Sequence, residues 1–410
     1  MRSFKKLIAI SLLIAVSVSS LFATAEAFTP SSDVAYKLVA NPYRKTSARM
    51  LSMGGAGIAL RSNQDALYVN PASLGEKGLV WNVPNMAVTL YNARDLIATG
   101  IIDNASNIQD NAGEYADAII AIYGKGGYNN IMTMDAGVGA KLGRLALASD
   151  VQFNMLTYTT PEGAFGLSII PQVDVVFSAG LGFRFFRDSD VNFDIGAAVR
   201  VNAKAYYEKV DADYVLGNIN NMNQIMTELT EKTPVMVACS IPVDLGFNLN
   251  LPAGFTFSTV ARNINGNFKA QVYDSIKDTA NNADKVLNGN VKIESPMSFD
   301  LGFGWKPKYG LSWLANPNIA VDFVDLGGLV SDFSFSGIFA HMKAGIEVEL
   351  LRLLELRAGL NQGYVSIGAG VNLMNLIHLE ASYYRLEFGE KLLDKPVDAL
   401  TVRMNLFWER

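Results

Sequence analysis

Apolar and polar residues alternate along most of this chain. Over Gln172–Phe185, Val173, Val175, Phe177, Ala179, Leu181, Phe183 and Phe185 fall on one face. Gln172, Asp174, Ser178, Gly180, Gly182 and Arg184 fall on the other. Val191–Tyr206 repeats the pattern, with Phe193, Ile195, Ala197, Val199 and Val201 against Asp194, Gly196, Arg200, Asn202 and Lys204. So does Val235–Leu251, with Val237, Cys239, Ile241, Val243, Leu245, Phe247 and Leu249 against Ser240, Asp244, Gly246, Asn248 and Asn250. A period of two marks β-strands. Ordinary strands run about five or six residues, whereas membrane strands need about nine to eleven, and these runs exceed ten. The apolar faces are almost free of charge, and the polar faces mix Asp, Arg, Lys and Asn with glycine. A transmembrane barrel turns such an apolar face to lipid and the polar one to a wet lumen. Its closure satisfies every backbone hydrogen bond, as lipid requires.

Fourteen segments follow this pattern: near 81–91, 131–142, 145–156, 172–185, 191–206, 234–250, 254–270, 297–305, 318–326, 338–350, 353–361, 364–373, 376–387 and 399–408. An even number is the rule for bacterial single-chain barrels, as is an alternation of short turns with long external loops. Two connections depart from the alternation: 306–317 is long and Gln362-Gly363 short. The leucines between Glu349 and Leu360 could start a helix face, but Arg357 falls where the next apolar residue belongs, which favours a hairpin at Leu351-Arg352. Helical spacing is found in the loops, at Asp95–Tyr123 and Asn218–Glu231. Tyr91, Tyr158, Tyr206, Trp305 and Tyr383 lie near strand ends, where interfacial girdles form. The last strand places Leu400, Val402, Met404, Leu406 and Trp408 on one face, an ending typical of substrates of the barrel-assembly machinery. The expected fold is all-β: a transmembrane antiparallel barrel over 81–410.

Composition narrows the function. Half the residues are apolar and 18% are charged, against roughly a quarter charged in soluble proteins. Beyond the first 25 residues no apolar run reaches the roughly 18 a membrane helix needs. One cysteine, Cys239, and two histidines, His341 and His378, exclude an intrachain disulfide and a Cys- or His-rich metal site. No G-x-S-x-G motif accompanies the histidines, so no catalytic residue, metal or cofactor is expected. Arg2, Lys5 and Lys6 precede the apolar stretch Leu7–Phe22 and the small-residue site Ala25-Glu26-Ala27, the layout of a signal peptide spanning 1–27. Its removal would leave 383 residues with a formal charge of −7, which is unsuited to nucleic acid.

Residues 28–80 differ from the rest. Ser47-Ala48-Arg49-Met50-Leu51-Ser52-Met53-Gly54-Gly55-Ala56-Gly57-Ile58-Ala59-Leu60 leads to Asp65, and then to Asn70-Pro71-Ala72-Ser73-Leu74. The glycines lack the Walker lysine and the G-x-G-x-x-G spacing of phosphate loops. They permit close backbone packing and positive φ, and Asn-Pro forces an extended or turn conformation. Both properties suit a compact plug inside a barrel. This block resembles the FadL family of outer-membrane transporters for hydrophobic compounds, its PorV-type relatives and the FadL-like proteins of spirochaetes; Leu356-Arg357-Ala358-Gly359-Leu360-Asn361-Gln362-Gly363-Tyr364 is similar to the C-terminal region of the last. The resemblance implies an N-terminal plug at 28–80, with Gly54, Gly55 and Gly57 among its candidate plug or ligand residues and Asn70 and Pro71 in its Asn-Pro motif. The third residue of that motif is alanine here, where some transporters have phenylalanine.

It also implies that ligand is caught among external loops, enters the lumen and leaves sideways through a gap in the wall. Loops 92–130, 207–233 and 271–296 would form the capture surface, the first carrying Leu96, Ile97, Ile101, Ile102, Ile119, Ile120 and Ile122. A carboxylate ligand would want an arginine partner, such as Arg184 or Arg200 on the polar faces, although charges of both signs interleave there and should largely pair with one another. The function so implied is passive uptake of hydrophobic small molecules, such as long-chain fatty acids, across the outer membrane. Its partners would be the lipid bilayer, the ligand and, during insertion, the barrel-assembly machinery. The alternative is a PorV-like scaffold or surface-interaction barrel. A continuous apolar pocket beside the plug would discriminate between the two.

Overall fold

A computed structural model describes residues 41–60, 65–76, 78–99, 118, 120–123, 127–159, 167–207, 210–211, 234–281, 291–307, 314–351, 353–374, 376–389 and 392–409. The signal segment 1–27, residues 28–40 of the expected plug and the helical pattern Asn218–Glu231 lie outside the described residues.

Fourteen antiparallel spans form one closed sheet. In order they are β1 Leu79–Tyr91, β2 Gly127–Leu142, β3 Leu145–Thr159, β4 Leu167–Phe185 and β5 Asn192–Tyr207. Next come three interrupted spans: β6 (Val235–Ser240 and Val243–Asn250), β7 (Phe255–Ile264 and Phe268–Tyr273) and β8 (Val291–Ile293 and Ser298–Trp305). β9 Leu314–Phe323, β10 Met342–Leu350, β11 Leu354–Asn361, β12 Tyr364–Leu373, β13 Ile377–Glu387 and β14 Pro396–Glu409 complete the set. A two-residue bridge, Val210–Asp211, extends the pairing along β4. β1 pairs with β14 from Val80↔Glu409 to Tyr91↔Ala399, which closes the cylinder and leaves both of its chain ends at one rim. That rim is called the turn end, and the opposite rim the loop end.

Short helices lie outside the wall strands: α1 Ala48–Ser52, α2 Ala66–Val69, α3 Ala93–Ala98, α4 Ile276–Asn281, α5 Leu326–Ser331 and α6 Phe335–His341. The short Gln362-Gly363 connection is a true hairpin turn. Its residues have φ of 52° and 81°, the left-handed pair that matches strand twist. The hairpin expected at Leu351-Arg352 is likewise present, β10 and β11 pairing up to Leu350↔Leu354, with Arg352 outside the described residues.

Burial is inverted relative to a soluble protein. On β4, Phe177 is 57% exposed while Asp174 is 2% exposed. Trp81, Leu147, Val201, Leu245, Phe299 and Ile346 form the same exposed apolar exterior, and Asp150, Arg200, Asp244, Glu347 and Arg403 the buried polar interior. Three expectations need correction. Residues 338–341 belong to α6, and β10 starts at Met342. Tyr206 points inward and packs in a cluster with Met236 and Phe268. Tyr91 also points inward, toward Thr133 (3.4 Å). The outer aromatic ring at the turn end is instead mostly phenylalanine: Phe185 stacks on Phe193 (4.9 Å), and Phe255 on Trp305 (5.8 Å).

Candidate functional site

The segment before β1 enters the lumen. Ser47 caps α1, its Oγ accepting the Met50 N–H (3.4 Å). The chain then reverses at Gly54 and Gly55, whose φ values of 67° and 80° favour glycine. The Gly57 and Ile58 N–H groups donate to the Asp322 carboxylate of β9 (2.6 and 3.0 Å). α2 ends at Asn70, which caps a 3-10 turn, Pro71–Gly75. The Asn70 Oδ1 accepts the Ala72 N–H (3.0 Å), and its Nδ2 donates to the Ile58 carbonyl (2.9 Å) and to Asn248 (2.7 Å). Pro71 suits the first turn position because it lacks the N–H that would go unpaired there.

Ion pairs fasten this segment around the barrel. Arg49 donates to Glu347 of β10 (2.6 and 2.8 Å). Arg403 of β14 makes a two-pronged bond to Asp65 (2.8 Å each). Lys45 and Tyr68 both reach Asp150 of β3, and Arg262 of β7 donates to the Tyr68 and Val69 carbonyls. Burial alone would push the Asp65 carboxyl up, but the Arg403 guanidinium outweighs it and holds Asp65 well below the usual carboxylate range.

Glycines on the polar strand faces make the room. Gly182, Gly196 and Gly246 stand in register across β4, β5 and β6. A Cβ at any of them would collide with Asn70–Gly75. Gly345 and Gly359 pair on β10 and β11, where a Cβ would strike Met53 or Gly54. Strands from β3 round to β12, and β14, touch the segment, so it lies across the lumen.

The sequence-derived residues therefore divide. Gly54, Gly55, Gly57, Asn70 and Pro71 meet inside the barrel. Arg184 pairs with Asp194 (2.6 and 2.9 Å) and with Glu76 (3.0 Å), just before β1. Arg200 pairs with Asp244 (2.5 and 2.9 Å) in the wall. The expected pairing of lumen charges continues at Arg357, which donates to Glu347, Glu355 and Glu380. Glu355, His378 and Glu380 bring ligand-type atoms within 4.8 Å of one another, and Arg357 supplies the counter-charge among them.

Among the described residues, open spaces adjoin the inner segment and the wall beside it. At the loop end a cavity of about 490 Å³ is lined by Pro42, Tyr43, Leu156 and Phe388 together with Gln152, Asp174 and Lys204. Leu156 also packs on the inward apolar cluster of Ile170, Tyr206, Met236, Phe268 and Ile293. Apolar lining and a polar floor, Lys204–Asp174 at 3.5 Å, therefore meet in one space rather than in a continuous apolar pocket. A smaller chamber, about 110 Å³, lies between the inner segment and β1–β3. Outside the same strands runs an apolar groove of about 540 Å³, lined by Trp81, Val83, Phe177 and Val201. Gly139, Ala140, Leu147 and Ala148 line both the chamber and the groove. Beside them the β1 register slips between Asn82 and Asn85 against both neighbours, at Pro84, which cannot donate to a ladder. Sequence reasoning passed over this thin wall and the glycine rows, because both are assembled from residues on different strands that only register brings together.

Of the apolar residues of loop 92–130, Leu96 and Ile122 are buried, Ile97 and Ile120 are exposed, and Ile101, Ile102 and Ile119 lie outside the described residues.

The closed sheet, inverted faces and threaded lumen define a transmembrane β-barrel of the outer-membrane type. Its overall shape is similar to that of the Pseudomonas putida toluene transporter TodX, with 10% identity, 90% of this chain and 99% of that chain covered, and a TM-score of 0.42. It is also similar to the CymD monoaromatic hydrocarbon channel (10% identity, 88% and 96% covered, TM-score 0.41). A third similar structure is a Pseudomonas aeruginosa FadL homologue (8% identity, 88% and 98% covered, TM-score 0.41). No protein-family model and no curated protein sequence matches the chain.

Proposed function

We propose that this barrel passes hydrophobic small molecules bearing one polar end, of the long-chain fatty acid class, by diffusion across the outer membrane. The observation that carries the reading is the shared wall: four residues, three of them glycine or alanine, separate an inner chamber from an outer apolar groove. An amphiphile would enter the loop-end cavity, with its chain against Leu156 and Phe388 and its head beside Asp174 and Lys204. It would then pass the inner segment and leave sideways beside β1. In this reading residues 28–80 are a plug. Gly54, Gly55, Gly57, Asn70 and Pro71 hold its shape, Arg184 fixes its exit toward β1, and Arg200 stiffens the wall. The leader 1–27 would direct export, and the barrel-assembly machinery would insert the chain.

The test is uptake of a radiolabelled fatty acid by cells carrying the barrel. Filling the wall with Gly139→Leu and Ala148→Leu should bring uptake down toward that of cells lacking the barrel, while the amount of folded barrel stays unchanged. Uptake that survives the filled wall would overturn the lateral route. Barrel purified in mild detergent without any co-extracted amphiphile, but with a stoichiometric protein partner, would favour the scaffold reading.

A further inference from the structure

The helical hairpin between β9 and β10 leaves its large apolar side chains uncovered. Val330, Phe333 and Phe335 are 76%, 76% and 80% exposed. The hairpin itself is well built. Leu329 is buried, Asp325 caps α5 through the Gly328 N–H (3.3 Å), and Ser334 caps α6 through the Gly337 N–H (3.0 Å). From Leu326 to Ala340 the only charged residue is Asp332.

Its height follows from the strands beneath it. β9 to β12 have 10, 9, 8 and 10 residues, whereas β3 to β5 have 15, 19 and 16. Membrane strands need about nine to eleven, so the low arc has no length to spare and its loop-end residues sit at the bilayer surface. α5 starts three residues after Phe323, the last residue of β9. The exposed exterior is continuous with the hairpin. Val365 and Ile367 of β12 are 64% and 53% exposed, and above them the Phe339 ring lies 3.9 Å from where a Cβ at Gly363 would stand.

We propose that the 326–340 hairpin lies in the membrane interface, with Val330, Phe333 and Phe335 inserted among the lipids of the leaflet at the loop end. Apolar faces with few charges bind this boundary by buried area. The low arc is thereby fixed to the bilayer surface. The inference rests on the barrel spanning a bilayer and not on what passes through it.

The test places a nitroxide at Phe335→Cys, in a Cys239→Ser background, in barrels reconstituted into phosphatidylcholine vesicles. Collision with oxygen and with a water-soluble nickel chelate reads depth. A label at 335 should lie about 5–10 Å below the phosphates, and one at Ser336→Cys at or above them. Repeating the reading at Val330→Cys with Phe333→Asp added should return that label to water, while the barrel keeps its folded migration on gels. A label at 335 as open to nickel as one at 336 overturns the proposal. So does a label shielded from both reagents, which would mean protein cover by a second copy or a loop. An Ile346→Cys label, on the exterior of β10, keeps the two readings apart: if it too reads as aqueous, the spanning barrel fails and the hairpin with it.

Discussion

Arg403 is 1% exposed and directs both prongs of its guanidinium at Asp65, with Glu380 at 3.7 Å as its next carboxylate. Removing one partner of a buried pair costs more than the pair contributes, because the other charge is left stranded. Asp65→Asn should therefore destabilise the barrel by about 3 kcal/mol, seen as a lower temperature for loss of the fast-migrating folded band. The pH dependence has a definite sign. The Asp65 pKa is lowered in the folded state, so its contribution is complete above the unfolded value of about 3.9 and is lost as pH falls below it. The temperature at which the folded band is lost should therefore fall progressively as pH drops below about 4 in the wild type, and fall less in Asp65→Asn.

The 3-10 turn Pro71–Gly75 depends on Gly182, Gly196 and Gly246, one from each of three neighbouring strands. Gly246→Val would collide with the Asn70 side chain and the Ala72 N–H. Ala197→Val, on the exterior, adds the same bulk without that clash. The first variant should free the inner segment and raise ion conductance across planar bilayers, and the second should leave conductance at the wild-type level. Strands were legible in the sequence because one alternating pattern served both lipid and lumen. Even the irregular Gln362-Gly363 connection falls into place once β11 and β12 are counted. α6 was not legible, because Ile338 and Ala340 keep the strand period while Ser334 caps a helix. Tyr206 looked interfacial by its place in β5, but its even position turns it inward to Phe268. The site was half visible. Asn70-Pro71 and the glycine turn at Gly54-Gly55 announced a compact insert. Partners such as Asp65–Arg403 depend on closure of the sheet, which residue spacing does not encode.

The whole barrel is lopsided. β3–β5 rise far above β9–β12, and the wall strands shrink to eight residues at β11. At about 3.4 Å per residue and a tilt near 40°, such a strand spans about 20 Å, less than the roughly 25 Å apolar band of typical barrels. A thicker bilayer must thin or tilt around that arc at a cost that grows with mismatch. The urea midpoint for unfolding should fall steadily from 14-carbon to 20-carbon phosphatidylcholine vesicles. A midpoint indifferent to chain length would mean the low arc does not set the hydrophobic span.

Asp65 and Arg403 are separated by 338 positions. The aspartate precedes the first strand, and the arginine sits on β14, which is made after the other thirteen. The ties to β3, β9 and β10 do not depend on β14, but the Asp65 tie cannot form until that strand has zipped to the first. A chain without β14 in place would hold a stranded Asp65 and an inner segment short of one tie. Completion of the cylinder and the last locking of its interior are thus one event: the joint that closes the wall is also the joint that sets the final bolt.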